Sequence, residues 1–431
     1  MAERPLRFLI TLEKHLQAEL LNVMNQEEEL WSLKSRVNWM VQGDRNTSFY
    51  HVSTLIRRKR NKILNLKDSQ GEWINDLTAV MEHVRNSFAK LFSIELLSSP
   101  LSSPSVDITF PQLSYSESHN ISLPVTDKEI KHALWSLKAF KSPGPDGLYV
   151  GFFQRFWLVV GRSVSEEIKK IFRDRKIPLD LNQTHIALIP KIKGPKSIEN
   201  FRPISLCNSV YKIITKIIVA RIRTLLDKLI SPYQVAFVPS RKGVDKVIIA
   251  QELIHTISRK KGNVGYMVIK IDLEKAYDRL EWSFIKEVLV VANFPPNLIQ
   301  LIMSCVSTVS TSILFNGGVL DPFLPSRGIR QGDPISPYLF TLCMEVLGRI
   351  IDDKCTNNLW NSDKASVGGP AFSHIFFVDD LLLFAKANSL NCESVKDAVK
   401  EFCMISGQRA DFCEILGFNF TPSWVLTLDF L

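Results

Sequence analysis

The 431-residue chain has seven cysteines, and no two of them stand at the C-x-x-C spacing that a zinc site or a redox pair requires. An odd number of scattered thiols also argues against a disulfide framework, so the sequence predicts reduced, mostly buried cysteines in an intracellular protein. No run of about 18 apolar residues occurs, which excludes an ordinary transmembrane helix and leaves no reason to expect a membrane partner. The opening MAERPLRFLITLEKHL lacks the unbroken apolar core of a secretion signal. With 45% hydrophobic and 23% charged residues, a mainly disordered chain, a collagen and a coiled-coil rod are all excluded. What charge there is leans one way: the net value of +9 favours a polyanionic partner.

Leu9, Leu12, Leu16, Leu20 and Val23 recur at steps of three and four, and Leu30, Leu33 and Val37 resume the seam, which predicts a helical start. Arg57, Arg58, Lys59 and Arg60 follow Phe49, Tyr50 and His51. Such a cluster either holds nucleic-acid phosphates while the rings stack, or is simply a solvated charged face. Residues 93–118 are rich in Ser and Pro and read as a linker or long surface loop. Beyond residue 119 the pattern predicts helices over 126–139, 151–174, 207–230, 243–260, 282–293 and 334–352. Strands are predicted over 185–190, 265–271, 311–316, 374–378 and 381–385. The mixture indicates an α+β or α/β catalytic body.

Three segments carry the chemistry. In FFVDDLLLFAK, Asp379 and Asp380 separate two wholly apolar runs, which predicts a buried hairpin with two acids at its tip. Adjacent carboxylates repel and lose hydration there, a cost that bound cations offset; an ordinary surface turn is the plainer alternative. In YMVIKID an apolar strand runs into Asp272, which serves either as the N-cap of a following helix or as a metal ligand facing the hairpin acids. Carboxylates on neighbouring strands suit two Mg²⁺ ions about 3.5–4 Å apart, the arrangement that drives phosphoryl transfer in polymerases and nucleases. In SRGIRQGDPISPYLF, Gly328, Gly332, Pro334 and Pro337 impose an irregular backbone before an apolar helix. Arg330 and Gln331 are the side chains expected to reach a ligand, with Asp333 capping the helix.

Taken together and in this order, KIDLEKAYDRLEW, GIRQGDPISPYLFTLCMEVLGRII and HIFFVDDLLLFAK resemble the reverse transcriptase of plant LINE-type (non-LTR) retrotransposons. SRVNWMVQGDRNTSFYHVSTLIRRKRNKI, SLKAFKSPGPDGLYVGFFQRFW and IALIPKIKGPKSIENFRPISLCNSVYKIITKIIVARI extend the resemblance from about residue 30 to 408. It implies a right-handed fingers and palm arrangement around an antiparallel palm sheet, preceded by a helical N-terminal segment. The implied organisation is a helical, basic extension over 1–92, the linker 93–118, fingers and fingers–palm over 119–262, palm over 263–410 and a divergent tail over 411–431. It implies an RNA-directed DNA polymerase that adds dNTPs to a DNA primer on an RNA template, with two Mg²⁺ ions or Mn²⁺ in their place. Asp272, Asp379 and Asp380 fall at the catalytic, metal-binding positions. Tyr277 falls at the aromatic beneath the incoming sugar, where a ring clashes with a 2′-hydroxyl. Gln331 and Gly332 match the nucleotide-pocket lining, Arg202 in FRPIS the nucleotide-contacting Arg, and Lys191 in IPKIK a triphosphate contact. Action in the nucleus, with the cytoplasm as the alternative, also follows from the family.

Relatives usually carry an endonuclease before this region and a complete thumb after it, so a truncated copy is expected. Val378 replaces the usual Ala before the acids, a small change. In SGQRADFCEILGF, Asp411 and Glu414 stand where relatives read Asn and Lys, and a Glu there repels a triphosphate. The competing expectation is therefore an inactive retrotransposon remnant that at most binds nucleic acid.

Overall fold

The computed structural model of the protein describes residues 7–35, 47–94, 110–239, 241–259, 265–364, 371–378 and 380–410. The chain divides into two units, one made of residues 1–80, 189–201 and 315–318 and the other of the rest.

The first unit contains helices α1 (Arg7–Ser35) and α2 (Thr47–Asn61) and the short hairpin β1 (Leu66–Lys67) and β2 (Trp73–Ile74). The predicted helical start is therefore present, but Leu9, Leu16, Leu20 and Val23 are exposed rather than packed. The two helices meet through the Arg57 guanidinium, which donates to the Lys34 carbonyl at 2.6 Å. The distant pieces of this unit are joined by backbone pairing. Lys67 N–H donates to the Lys196 carbonyl at 2.7 Å, and the Asn316 amide reads both the N–H and the carbonyl of Ile63 at 2.9 and 2.7 Å.

The second unit takes in most of α3 (Leu77–Leu91), followed by α4 (Tyr115–Ser122), α5 (Asp127–Ser136), α6 (Val150–Arg155), α7 (Trp157–Asp174), β3 (Gln183–Pro190) and β4 (Phe201–Cys207). Next come α8 (Ser209–Arg223), α9 (Leu226–Leu229), α10 (Gly243–Arg259), β5 (Tyr266–Asp272), α11 (Ala276–Arg279), α12 (Trp282–Val291) and α13 (Pro296–Ser307). The last elements are β6 (Ser310–Phe315), β7 (Gly318–Val319), α14 (Ser336–Thr356), β8 (Asp363–Lys364), β9 (Ala371–Phe372), β10 (His374–Phe377), β11 (Asp380–Lys386) and α15 (Ser389–Ser406). Local chemistry sets several of these boundaries. Ser114 with Glu117 and Thr126 with Glu129 form capping boxes that start α4 and α5. The first of these places a helix over the final residues of the segment read as a linker; residues 95–109 of that segment lie outside the described residues.

Two sheets organise this unit. One has the order β4-β3-β6-β7, with β3 and β6 parallel. The other is the antiparallel trio β10-β11-β5. Every residue from Leu381 to Ala385 is buried, as an apolar run without alternation requires. The period of two divides that run between two cores. Leu381, Leu383 and Ala385 join the main core with Leu339, Leu347 and Phe402, while Leu382 and Phe384 pack with Ala250 and Leu253. Helices therefore cover both faces, and Lys270, Asp272, Phe377 and Asp380, toward one end of the sheet, are exposed. Of the six described cysteines, Cys207, Cys305 and Cys343 are buried and all six are free thiols, as expected.

Candidate active site

The antiparallel register places Asp380 directly opposite Asp272, with Leu381 opposite Ile271 and Leu382 opposite Lys270. Residues directly opposite in such a ladder hold their Cβ atoms about 4.5–5.5 Å apart. Asp272 is the last residue of its strand and not a helix cap, because the next helix starts only at Ala276 behind Lys275. Both acids are exposed, and Lys270 Nζ lies 3.5 Å from an Asp380 carboxyl oxygen. That cation was not picked out from the sequence, although alternation along YMVIKID puts it on the face of Asp272. Asp379 lies outside the described residues, as do Asp411 and Glu414. Among the described residues no three His, Cys, Asp or Glu side chains gather. Two facing carboxylates of hard oxygen donors nevertheless fit Mg²⁺, which keeps its remaining positions for water and substrate phosphate.

Val378, just before the hairpin tip, has φ +59°. This left-handed conformation is a genuine outlier for a β-branched residue. The preceding apolar strand holds it in place: Phe377 pairs with Asp380, and Phe376 with Leu381.

Beyond Asp272 the chain folds back on itself. Tyr277 stacks on the fully buried ring of Phe340, with centroids 4.7 Å apart and planes 13° from parallel. Its carbonyl accepts from Ile329 N–H at 2.8 Å, and the Leu280 carbonyl from Gly328 N–H at 2.8 Å. Gly328 is obligatory at this crossing, because at its φ of +88° a Cβ would meet the Asp278 carbonyl oxygen at 2.6 Å. The Gln331 amide donates to the buried carboxylate of Asp278 at 3.2 Å, and its carbonyl accepts from Ser205 N–H at 2.7 Å. Gly332, at φ +112°, is exposed and lies against the Ser205 carbonyl. Arg202 stands exposed on the same strand as Ser205, three residues earlier. The structure therefore groups Tyr277, Gln331 and Gly332 with the strand of Arg202, on a loop fastened to the segment that follows Asp272.

Arg330 corrects an expectation, since its side chain turns inward instead of toward a ligand. Its guanidinium donates to Asn182 Oδ1 at 2.9 Å, Thr184 Oγ1 at 3.0 Å and the Cys305 carbonyl at 2.6 Å, and also contacts the Tyr211 hydroxyl. Asp333 is no simple helix cap either. One of its oxygens takes the Tyr211 hydroxyl at 2.6 Å and lies 3.4 Å from Arg330, and the other accepts from Ile335 N–H at 3.2 Å. Burial pushes the Tyr211 phenol well above its ordinary pKa, so it stays protonated as a donor. This polar cluster could not be read from sequence, because its members come from four separate segments.

The remaining candidates belong to the first unit. Lys191 is exposed just past β3, its N–H donating to the Asn200 carbonyl at 2.8 Å. Arg57, Arg58, Lys59 and Arg60 occupy the last turns of α2, with Arg57 engaged by Lys34 and the other three exposed.

Mixed helices and sheets with paired acids at the ends of neighbouring antiparallel strands are compatible with a two-metal phosphoryl-transfer enzyme. Residues 189–409 match the family model described as reverse transcriptase (RNA-dependent DNA polymerase). The chain belongs to that family. Over 400 residues it is 26% identical to the transposon TX1 uncharacterized 149 kDa protein of Xenopus laevis, covering 93% of this chain and 30% of that one. Over 306 residues it is 26% identical to the retrovirus-related Pol polyprotein from type-2 retrotransposable element R2DM of Drosophila melanogaster, covering 70% of this chain and 27% of that one. A 67-residue stretch is 40% identical to an uncharacterized mitochondrial protein of Arabidopsis thaliana, covering 16% of this chain and 55% of that one. The chain thus spans less than a third of the length of the first two relatives.

Proposed function

We propose that this chain is the polymerase region of a plant LINE-type (non-LTR) retrotransposon reverse transcriptase. It extends the 3′-hydroxyl of a DNA primer with dNTPs on an RNA template, and acts in the nucleus. The observation that carries the reading is the placement of Asp272 opposite Asp380, the second acid of the VDD motif. In this reading residues 263–410 form the palm, residues 119–262 the fingers, and the three acids are the catalytic set.

Asp272, Asp379 and Asp380 would hold Mg²⁺, and ions bound there would supply positive charge to an attacking hydroxyl and a leaving pyrophosphate. The chain's own residues do the positioning. Tyr277, backed by Phe340, presents a flat ring beneath the sugar and excludes a 2′-hydroxyl. Gln331 is kept at the pocket wall by Asp278 and by Ser205 N–H. Arg202 presents a cation to the triphosphate, where negative charge develops. The exposed run Arg58, Lys59 and Arg60 adds salt-sensitive affinity for the nucleic-acid backbone.

Primer extension on an RNA template in the presence of Mg²⁺ tests the reading. Asp379→Ala is expected to abolish synthesis while salt-sensitive RNA binding persists. Equal synthesis by the wild type and this variant rejects the assigned site.

A further inference from the structure

Strand β10 forms one edge of the sheet that carries Asp380, and β11 is its neighbour there. Phe376 on β10 is 1% exposed, so the backbone groups on its outer side need partners away from water. A strap of irregular chain, residues 230–236, supplies them. Phe376 N–H donates to the Tyr233 carbonyl at 2.9 Å, and Val235 N–H donates to the Phe376 carbonyl at 3.3 Å. The Tyr233 hydroxyl donates to the Ala371 carbonyl at 3.3 Å, and its ring lies against His374 with centroids 4.6 Å apart.

Two charged side chains hold the strap in turn. Arg241, just before α10, donates through its guanidinium to the carbonyls of Ser231 at 2.5 Å, Gln234 at 2.7 Å and Ile230 at 2.9 Å. One planar fork thereby fixes three strap carbonyls at once. On α14, the buried carboxylate of Glu345 accepts from Ser231 N–H at 2.9 Å, and Arg349 one turn on lies 2.7 Å from its other oxygen. Gln234 braces the strap from within, its side-chain oxygen accepting from the N–H groups of Val235 and Ala236 at 2.9 and 3.2 Å. The bonds run from Arg241 and Glu345 through the strap to Phe376, which shortly precedes Val378 at φ +59° and then Asp380. A strained residue of this kind persists only where its surroundings over-determine it.

We propose that Arg241 and Glu345 are positioning residues. Through the strap they hold β10, and with it the hairpin, in the register that sets Asp380 opposite Asp272. The positioning role in synthesis rests on the polymerase reading above; the hold on the hairpin does not.

Hydrogen exchange followed by mass spectrometry in metal-free buffer tests the hold. Arg241→Met is expected to speed exchange over residues 374–378 about tenfold, as losing a hydrogen bond from a charged group does in a segment that opens locally. Glu345→Gln and Glu345→Leu both forfeit the charge pair with Arg349, but only Gln keeps an oxygen for Ser231 N–H. Exchange should therefore be faster in Glu345→Leu. Arg221→Met is the matched control, because Arg221 likewise clamps three carbonyls, those of Ile121, Leu123 and Pro124, on other elements. It should leave residues 374–378 unchanged. Unaltered exchange there in Arg241→Met, equal exchange in the two Glu345 variants, or an equal rise in the control overturns the strap.

The consequence for the acids is read from Mg²⁺ titrations. Arg241→Met should raise the Mg²⁺ concentration that gives half-maximal thermal stabilisation about tenfold, as losing a group that orients a metal ligand does. In primer extension it should lower kcat and leave the KM for dNTP unchanged. A lower unfolding temperature with the Mg²⁺ midpoint unmoved is what a merely structural role gives, and that outcome overturns the positioning assignment. A wild type that responds to Mg²⁺ and shows the exchange differences, yet makes no DNA, counts against the polymerase reading and leaves the strap standing.

Discussion

Asp272 and Asp380 face each other across the β5–β11 ladder, one ending its strand and the other beginning the next. Two like charges in directly opposed positions destabilise a sheet by roughly 0.2–1 kcal/mol, and Lys270 at 3.5 Å offsets this only in part because the pair is exposed to solvent. Asp272→Asn should therefore raise the unfolding temperature slightly in metal-free buffer. Adding Mg²⁺ should stabilise the wild type and leave this variant unmoved. A thermal-shift series over Mg²⁺ concentration measures both effects, and an identical Mg²⁺ response in the two proteins removes Asp272 from the cation site.

Val378 carries a β-branched side chain at φ +59°. Conformations of this kind cost on the order of 1–3 kcal/mol for such a residue. Val378→Asn, which tolerates the left-handed region, should raise the urea midpoint by an amount equivalent to about 1 kcal/mol. A lower midpoint would show that packing of the valine outweighs its backbone strain.

Tyr277 depends on Phe340 for its orientation, since the two rings stack nearly parallel. Tyr277→Ala should increase rNTP incorporation relative to dNTP in primer extension. Phe340→Leu should do so more weakly, because it removes the backing while keeping the ring. An unchanged rNTP/dNTP ratio in Tyr277→Ala removes the gate role.

Arg330, Tyr211 and Asp333 form a buried polar cluster behind the Gln331 loop. Arg330→Met leaves the Asp333 carboxylate without its charged partner, and breaking a buried pair in this way costs about 3–5 kcal/mol. Tyr211→Phe, which removes one hydrogen bond to a charged acceptor, should cost about 1.5–3 kcal/mol. Urea unfolding of both single variants and the double variant measures the coupling; strictly additive losses would show that the cluster does not act as one unit.

His374 is buried with its pKa lowered to about 3, mainly by loss of hydration and further by the nearby Arg349 charge. Because the folded value lies below the unfolded one, the unfolded chain takes up a proton first as the pH falls. The contribution from a neutral His374 is complete above about pH 6.5 and is lost progressively toward pH 3. His374→Phe should flatten the stability profile between those limits, as read from unfolding midpoints at several pH values.

Much of the secondary structure is legible in the chain itself. The uninterrupted apolar runs around the acid pair correspond to buried strands, and the apolar run YMVIKI to the strand that ends at Asp272. The helical periods over 126–139, 243–260 and 334–352 correspond to α5, α10 and α14. Helices α3, α13 and α15 and strand β4 were not picked out. FRPISLC alternates clearly, burying Phe201, Pro203, Ser205 and Cys207, but a proline in its middle obscured the strand. The predicted helix over 151–174 is broken at Phe156, and the one over 207–230 ends at Arg223 before a separate short turn, because local periodicity marks a helical face more reliably than a boundary.

By itself the sequence placed acids at strand ends, glycines before an apolar helix, and cations near aromatics. Those are consequences of residue type and short-range period, and both are fixed along the chain. Tertiary structure alone decided which residues meet. It set Asp380 rather than a neighbour opposite Asp272, because a one-residue slip in register would exchange the two faces. It turned Arg330 toward Asn182, Thr184 and Cys305 and Gln331 toward the carboxylate of Asp278, although the two are adjacent and both polar. Only the arrangement of Tyr211, Asn182, Thr184 and Asp333 around a buried guanidinium makes the inward choice favourable, since a charge leaves water only where partners already wait for it.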